Sequence, residues 1–140
     1  MLFRSRGLTL DYITVDIAHG HSEKMLHMLR YLNKKFEKTF IIAGNVCTPE
    51  GVYFLTHNGA NAVKVGIGPG LACTTRFKTG FWRPQFSAVL ECAQSATVPI
   101  IADGGIRENA DIAKAIVAGA DMVMVGSILA GTKEIGRAHV

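Results

Sequence analysis

Gly59-Ala60-Asn61-Ala62-Val63-Lys64-Val65-Gly66 returns 60 positions later (119 minus 59) as Gly119-Ala120-Asp121-Met122-Val123-Met124-Val125-Gly126. Each copy places a helix-stopping glycine before a short apolar strand, and a second glycine at the strand's carboxyl end. Upstream, Ile41-Ile42-Ala43-Gly44 aligns with Ile100-Ile101-Ala102-Asp103 at a spacing of 59 (100 minus 41). A βαβα unit recurring at that length is the footprint of a (β/α) barrel assembled from like parts.

Outward from the repeat, residues 12–15 form a β-branched strand ending at Asp16. Ser22 is placed to cap a helix whose apolar stripe is Met25, Leu29, Leu32 and Phe36. A second strand, 40–43, ends at Gly44-Asn45, and Thr48-Pro49 is an N-cap and first-turn pair. The strand Ala62–Val65 leads into a loop at 66–83, long enough to suggest function. A helix at 84–96 carries Cys92 as a packing residue, and a strand at 98–102 ends in Asp103-Gly104-Gly105. Asn109 is read as the cap of the helix containing Ile112, Ala113, Ile116 and Val117, which stops at Gly119. The last strand, 122–125, ends in Gly126-Ser127.

Asp16, Asn45, Gly66, Asp103 and Gly126 all fall at carboxyl ends of strands, the rim that carries active sites in an α/β barrel. A doubly wound sheet also binds ligands at its strand ends and is the alternative architecture. Five strands cannot close an eight-stranded barrel, so the expected fold is α/β, a partial barrel of about five βα units with two open edges.

Composition narrows the function classes. With 140 residues, 49% hydrophobic and 19% charged, the chain can hold one ordinary core, and no apolar run approaches the roughly 18 residues of a membrane span. The formal charge of +4 is scattered rather than striped, which speaks against nucleic acid. Cys47, Cys73 and Cys92 are odd in number and unclustered, and no signal peptide precedes them, a pattern suited to a reducing cytoplasm. His19 and His21 lack further ligands at metal-binding intervals and read as a polar loop.

The 66–83 loop carries the chemistry. Gly66, Gly68 and Gly70 free backbone dipoles to face inward, beside Cys73, Thr74 and Thr75. The run is not a dinucleotide fingerprint, whose third glycine would fall on Leu71, and no Gly-Lys-Ser/Thr follows as a Walker A loop requires. A cysteine outside any periodic apolar segment and beside hydroxyls reads as a nucleophile.

The ends have a different origin on this reading. Met1-Leu2-Phe3-Arg4-Ser5 and Glu134-Ile135-Gly136-Arg137-Ala138-His139-Val140 can both be read from codons of a common sequencing-library adapter. Residues 6–133 are then the natural part, an internal piece of a longer protein, and 1–5 and 134–140 are set aside.

Asp16-Ile17-Ala18-His19-Gly20-His21-Ser22, Ala43-Gly44-Asn45-Val46, Gly66-Ile67-Gly68-Pro69-Gly70 with Cys73-Thr74-Thr75-Arg76, Ala102-Asp103-Gly104-Gly105-Ile106-Arg107 and Val125-Gly126-Ser127 together resemble the IMP dehydrogenase and GMP reductase family. The resemblance spans nearly all of 7–133 in motif order. It implies the fourth to eighth strands of a TIM barrel, from a cytoplasmic homotetramer acting on a purine nucleotide. It makes Cys73 the nucleophile that forms a thioimidate at purine C2, with Thr75 assisting proton transfer. Asp103 would bind the ribose hydroxyls, and Gly104, Gly105, Gly126 and Ser127 the 5′-phosphate. Asn45 would line the purine pocket, and Asp16 and Gly66 the nicotinamide cofactor. Carbonyls of Gly68, Gly70, Cys73 and Arg76 would hold K+.

Gly7-Leu8-Thr9 and Asp16-Ile17-Ala18 look more like bacterial reductases, which implies reduction of GMP to IMP and ammonia with NADPH. The alternative is oxidation of IMP with NAD, and a third reading is a noncatalytic phosphate-binding fragment. Two departures stand out: Leu71 where many relatives have serine, and Trp82 where glycine is usual.

Overall fold

The structure, a computed structural model, describes residues 10–70 and 73–132. The order along the chain is β1 (Tyr12–Asp16), α1 (Glu23–Lys35), β2 (Phe40–Val46), α2 (Pro49–His57), β3 (Ala62–Val65), α3 (Thr74–Thr79), α4 (Gln85–Ser95), β4 (Ile100–Asp103), α5 (Asn109–Val117) and β5 (Met122–Met124), then a 3-10 turn at Ser127–Leu129. All four strand pairings are parallel, in the spatial order β1-β2-β3-β4-β5. A doubly wound sheet reverses its strand order at a switch point. Here the order never reverses, so the sheet is an arc of a barrel wall.

Residue parity separates the two faces. Ile41, Ala43, Val63, Val65, Ile100 and Ala102 point to the helices and form one core with Met25, Leu29 and Leu32 of α1, Val52 and Leu55 of α2, and Ala88, Val89 and Cys92 of α4. Of the stripe expected on α1, Met25, Leu29 and Leu32 are buried, whereas Phe36 is the C-cap just past the helix and only half-buried; Ser22 caps the other end by accepting from the Met25 amide. Thr48 caps α2 through the Gly51 amide, with Pro49 in the first turn. Central β3 is buried at all four positions, whereas β1 and β5 alternate between exposed and half-buried. Both open edges of the arc are thus visible in the burial of its strands.

The repeat has a structural meaning. Gly59 and Gly119 adopt φ of +94° and +104°, ending α2 and α5. Ala60 N donates to Leu55 O, and Ala120 N to Ala115 O. Asn61 then clamps the neighbouring strand, its Oδ1 accepting from Ile41 N at 2.8 Å while its own N donates to Ile41 O. Asp121 does the same to Ile100, also at 2.8 Å. Each copy is therefore a helix stop fused to a strand-pairing device.

Four local expectations need correction. Strand β2 runs on through Gly44-Asn45 to Val46, with a register shift there, because Gly44 O, Asn45 N and Val46 O find partners in Ile17 and Gly66. Strand β4 starts at Ile100 rather than 98: Pro99 has no N–H to give and contributes only its carbonyl, to Val63 N. The 66–83 loop is not structureless but contains α3, closed by Gly80 at φ +73°. Asn109 is not the cap of α5; Glu108 holds that position without a side-chain bond, and the Asp111 carboxylate accepts from Arg107 N instead. The expectation about 1–5 and 134–140 lies outside the described residues. Among the described residues no helix is long and apolar enough to cross a membrane.

Candidate active site

The inner face of the arc carries charge. Lys64 projects from the middle of β3 on the side away from the helices and is 1% exposed. Its register partner on β2 is Gly44, where a Cβ would come within 2.6 Å of the Lys64 Cβ, so the glycine makes room for the lysine stem. Lys64 Nζ lies 2.8 Å from Asp16 Oδ2 and 2.9 Å from Asp103 Oδ2, with Met124 Sδ at 3.7 Å. Burial pulls its pKa down most, but the two carboxylates more than offset this, and the net direction is upward. The ammonium stays charged at neutral pH, as a buried cation does only when paired.

Asn45 joins this group, donating from Nδ2 to Asp103 Oδ2 at 2.9 Å and to Gly66 O at 2.8 Å. Its Oδ1 is buried and has no hydrogen-bond partner among the described residues. Gln85, opening α4, donates to Val65 O at 2.8 Å and to Asp103 O at 3.3 Å. Gly66 is required where it stands, since a Cβ there would lie 1.9 Å from Asp103 O. Asp16, Asn45, Gly66 and Asp103, drawn from four strand ends, are thus brought together.

The cysteine loop folds over this floor. Cys73 stands just before α3, its N–H donating to Gly70 O at 3.2 Å. The amide of Arg76 lowers the thiol pKa most; against some desolvation, the hydroxyl and amide of Thr75 and the amide of Gly68 add to the effect. Neutral donors so placed favour thiolate without a neighbouring base. At its far end the loop is pinned by Arg83, whose N donates to Ile67 O and whose guanidinium bonds Cys47 O at 2.7 Å and pairs with Glu91. Arg76 stacks over Phe77 and Trp82, at 4.9 and 5.6 Å from the ring centroids. Pro69 packs under Gly104, where a Cβ would meet its Cγ at 2.8 Å. The cysteine loop and the glycines after β4 are thereby one packed unit.

Two hollows share this rim. One, of about 200 Å³, is lined by Asp16, Asn45, Gly66, Gly68, Cys73 and Thr75. The other, of about 540 Å³, adjoins it through Ala18, Ile67 and Thr75 and is walled by His19, His21, Phe81 and Trp82. Gly126 and Ser127 follow β5, whose Met124 pairs with Asp103, and stand exposed on the same rim. Leu71 falls outside the described residues.

Lys64, Gln85 and Arg83 are parts of the site that motif reading overlooked. For Lys64 a signal existed: its counterpart in the repeat is Met124, so the strand itself has no need of a charge. Gln85 and Arg83 act through contacts between distant segments and leave no local pattern.

A family model described as the IMP dehydrogenase / GMP reductase domain matches residues 6–139. The chain is 59% identical over 132 residues to a GMP reductase of Albidiferax ferrireducens, and 54% identical over 132 residues to one of Oenococcus oeni; each alignment covers 91% of this chain and 40% of the relative. The fold superposes with a TM-score of 0.86 on a crystal structure of GMP reductase from Trypanosoma brucei in complex with guanosine 5′-triphosphate, at 46% identity, covering 94% of this chain and 32% of that one. The chain thus spans about two-fifths of the length of these bacterial relatives. A parallel arc with its chemistry on one rim, matched over nearly its whole length, belongs to the IMP dehydrogenase / GMP reductase family.

Proposed function

We propose that residues 6–133 are the fourth-to-eighth-strand segment of a cytoplasmic, homotetrameric GMP reductase, in which GMP, NADPH and two protons yield IMP, NADP+ and ammonium. The observation that carries the reading is the activated thiol of Cys73, set on the hollow that Asp16, Asn45 and Thr75 also line. The identity with proteins named GMP reductase supports the reductase over the dehydrogenase.

The Cys73 thiolate attacks C2 of the purine. The C2 amino group leaves as ammonia, the Thr75 hydroxyl serving its protonation, and a C–S bond remains as a thioimidate. NADPH, when bound, supplies the hydride that replaces sulfur at C2, and the thiolate of Cys73 is recovered. Asn45 fits the purine because its buried Oδ1 takes no donor from the described residues, and a ring N–H could provide one. Asp103 accepts from the ribose hydroxyls, and Gly104, Gly105, Gly126 and Ser127 turn N–H groups and a hydroxyl to the phosphate.

The residues present fit the dinucleotide: the 540 Å³ cleft beside Thr75 has planar walls in His19, His21, Phe81 and Trp82, with Asp16 and Gly66 at the adjoining hollow. They also fit K+, which takes carbonyl oxygens. Gly70 O and Arg76 O each accept one loop hydrogen bond, from Cys73 N and Gly80 N, and a carbonyl has a second lone pair to offer. With Gly68 and Cys73 these carbonyls would hold the ion and brace the loop.

The test is turnover by the complete protein. GMP is expected to drive NADPH consumption with matching ammonia release, both lost in Cys73→Ala and both stimulated by K+ over Na+. NADH formation from IMP and NAD, with no ammonia from GMP, would assign the dehydrogenase reaction instead. Light scattering of the same sample checks for the tetramer.

A further inference from the structure

Among the described residues Lys64 is the one charged side chain that is wholly buried, and the reaction proposed above gives it no task. The fold does not demand it either, because the corresponding position of the repeat is Met124. Room has nevertheless been made for it at Gly44. Its ammonium forms an ion pair with Asp103 Oδ2, the same oxygen that receives Asn45 Nδ2, both at 2.9 Å. A buried cation and an amide donor converging on one oxygen fix the rotation of the carboxylate, and Oδ1 takes no hydrogen bond from the described residues. On its other side the ammonium is held by Asp16, whose side chain is 59% exposed against 21% for Asp103.

We infer that Lys64 is a positioning residue for nucleotide recognition: anchored by Asp16, it locks Asp103 so that Oδ1 is presented to the ribose hydroxyls. The inference rests on the proposed role of Asp103 as ribose acceptor. The ion pair with Lys64 supplies energy and the bond from Asn45 to the same carboxylate oxygen sets direction, and an acceptor held in advance binds without an ordering cost.

The complete enzyme is compared with Lys64→Met and Lys64→Arg on GMP and on 2′,3′-dideoxy-GMP, which lacks both hydroxyls. Lys64→Met is expected to lower kcat/KM for GMP by about tenfold or more, chiefly through KM, and to change that for the dideoxy nucleotide by less than about threefold. Lys64→Arg, keeping charge and donors, is expected to restore most of the discrimination between the two nucleotides. Should the methionine variant fail to fold, Lys64→Gln gives the same ratio. Equal losses on both nucleotides would make Lys64 a structural residue only and overturn the inference. An unsubstituted enzyme without GMP turnover refutes instead the proposed function and, with it, the inference.

Discussion

Neutral donors around Cys73, the Arg76 amide foremost, lower its pKa, whereas burial lifts the thiol of Cys92 up to about 12 and also raises that of Cys47. Iodoacetamide at neutral pH is therefore expected to label Cys73 first, Cys47 more slowly, and Cys92 only on unfolding, as read by peptide mass spectrometry. Equal rates at Cys73 and Cys92 would contradict the described environments. The same burial couples stability to pH. An unfolded cysteine ionises near about 8.5, so the unfolded state releases a proton that folded Cys92 keeps until about 12. Stability from this thiol is present below the unfolded pKa and is lost as pH rises through that window. The urea midpoint should fall between about pH 9 and 12, and less steeply in Cys92→Ala, although that variant starts lower because it leaves a cavity.

At the scale of elements, the repeated turn between helix and strand is the unit to perturb. Ile41 is fully buried and its amide depends on Asn61 Oδ1; Ile100, 1% exposed, depends in the same way on Asp121 Oδ2. Asn61→Ala or Asp121→Ala is expected to destabilise by about 1–3 kcal/mol each, the cost of a buried donor left unpaired. Urea titration checks this, and a loss under half a kcal/mol would show that water replaces the clamp. Gly66→Ala acts on the junction of β3 and the cysteine loop. Its φ of +150° and the Asp103 carbonyl 1.9 Å from any Cβ leave no room, so the end of β4 must move. The expected result is a loss of nucleotide binding larger than the loss of stability, measured by calorimetry and melting on the complete protein.

Over the described residues the molecule is an arc with an open inner face. Tyr12, Met122 and Met124 are 68%, 48% and 42% exposed along the two edge strands. Unpaired parallel edges and apolar surface of this kind favour association. The 140-residue chain alone is expected to self-associate in gel filtration and to show no turnover with GMP and NADPH or with IMP and NAD. A monodisperse, active preparation whose activity is abolished by Cys73→Ala would overturn that expectation.

The order of the five strands and of the helices between them, α3 excepted, was readable in the sequence, as was the placing of Asp16, Asn45, Gly66 and Asp103 at strand ends, because these depend on short-range signals: glycine stops and apolar periodicity. The β-bulged course of β2 through Gly44-Asn45, the helix inside the 66–83 loop and the displaced cap of α5 were not. There, partners remote in the chain overrode local propensity. By itself the sequence determined that this is a barrel-type α/β chain whose polar residues and glycines gather at its strand ends. Only the tertiary structure decided that Lys64 lies between Asp16 and Asp103, since an ion pair linking residues 48 positions apart exists only once strand register has set them on one face.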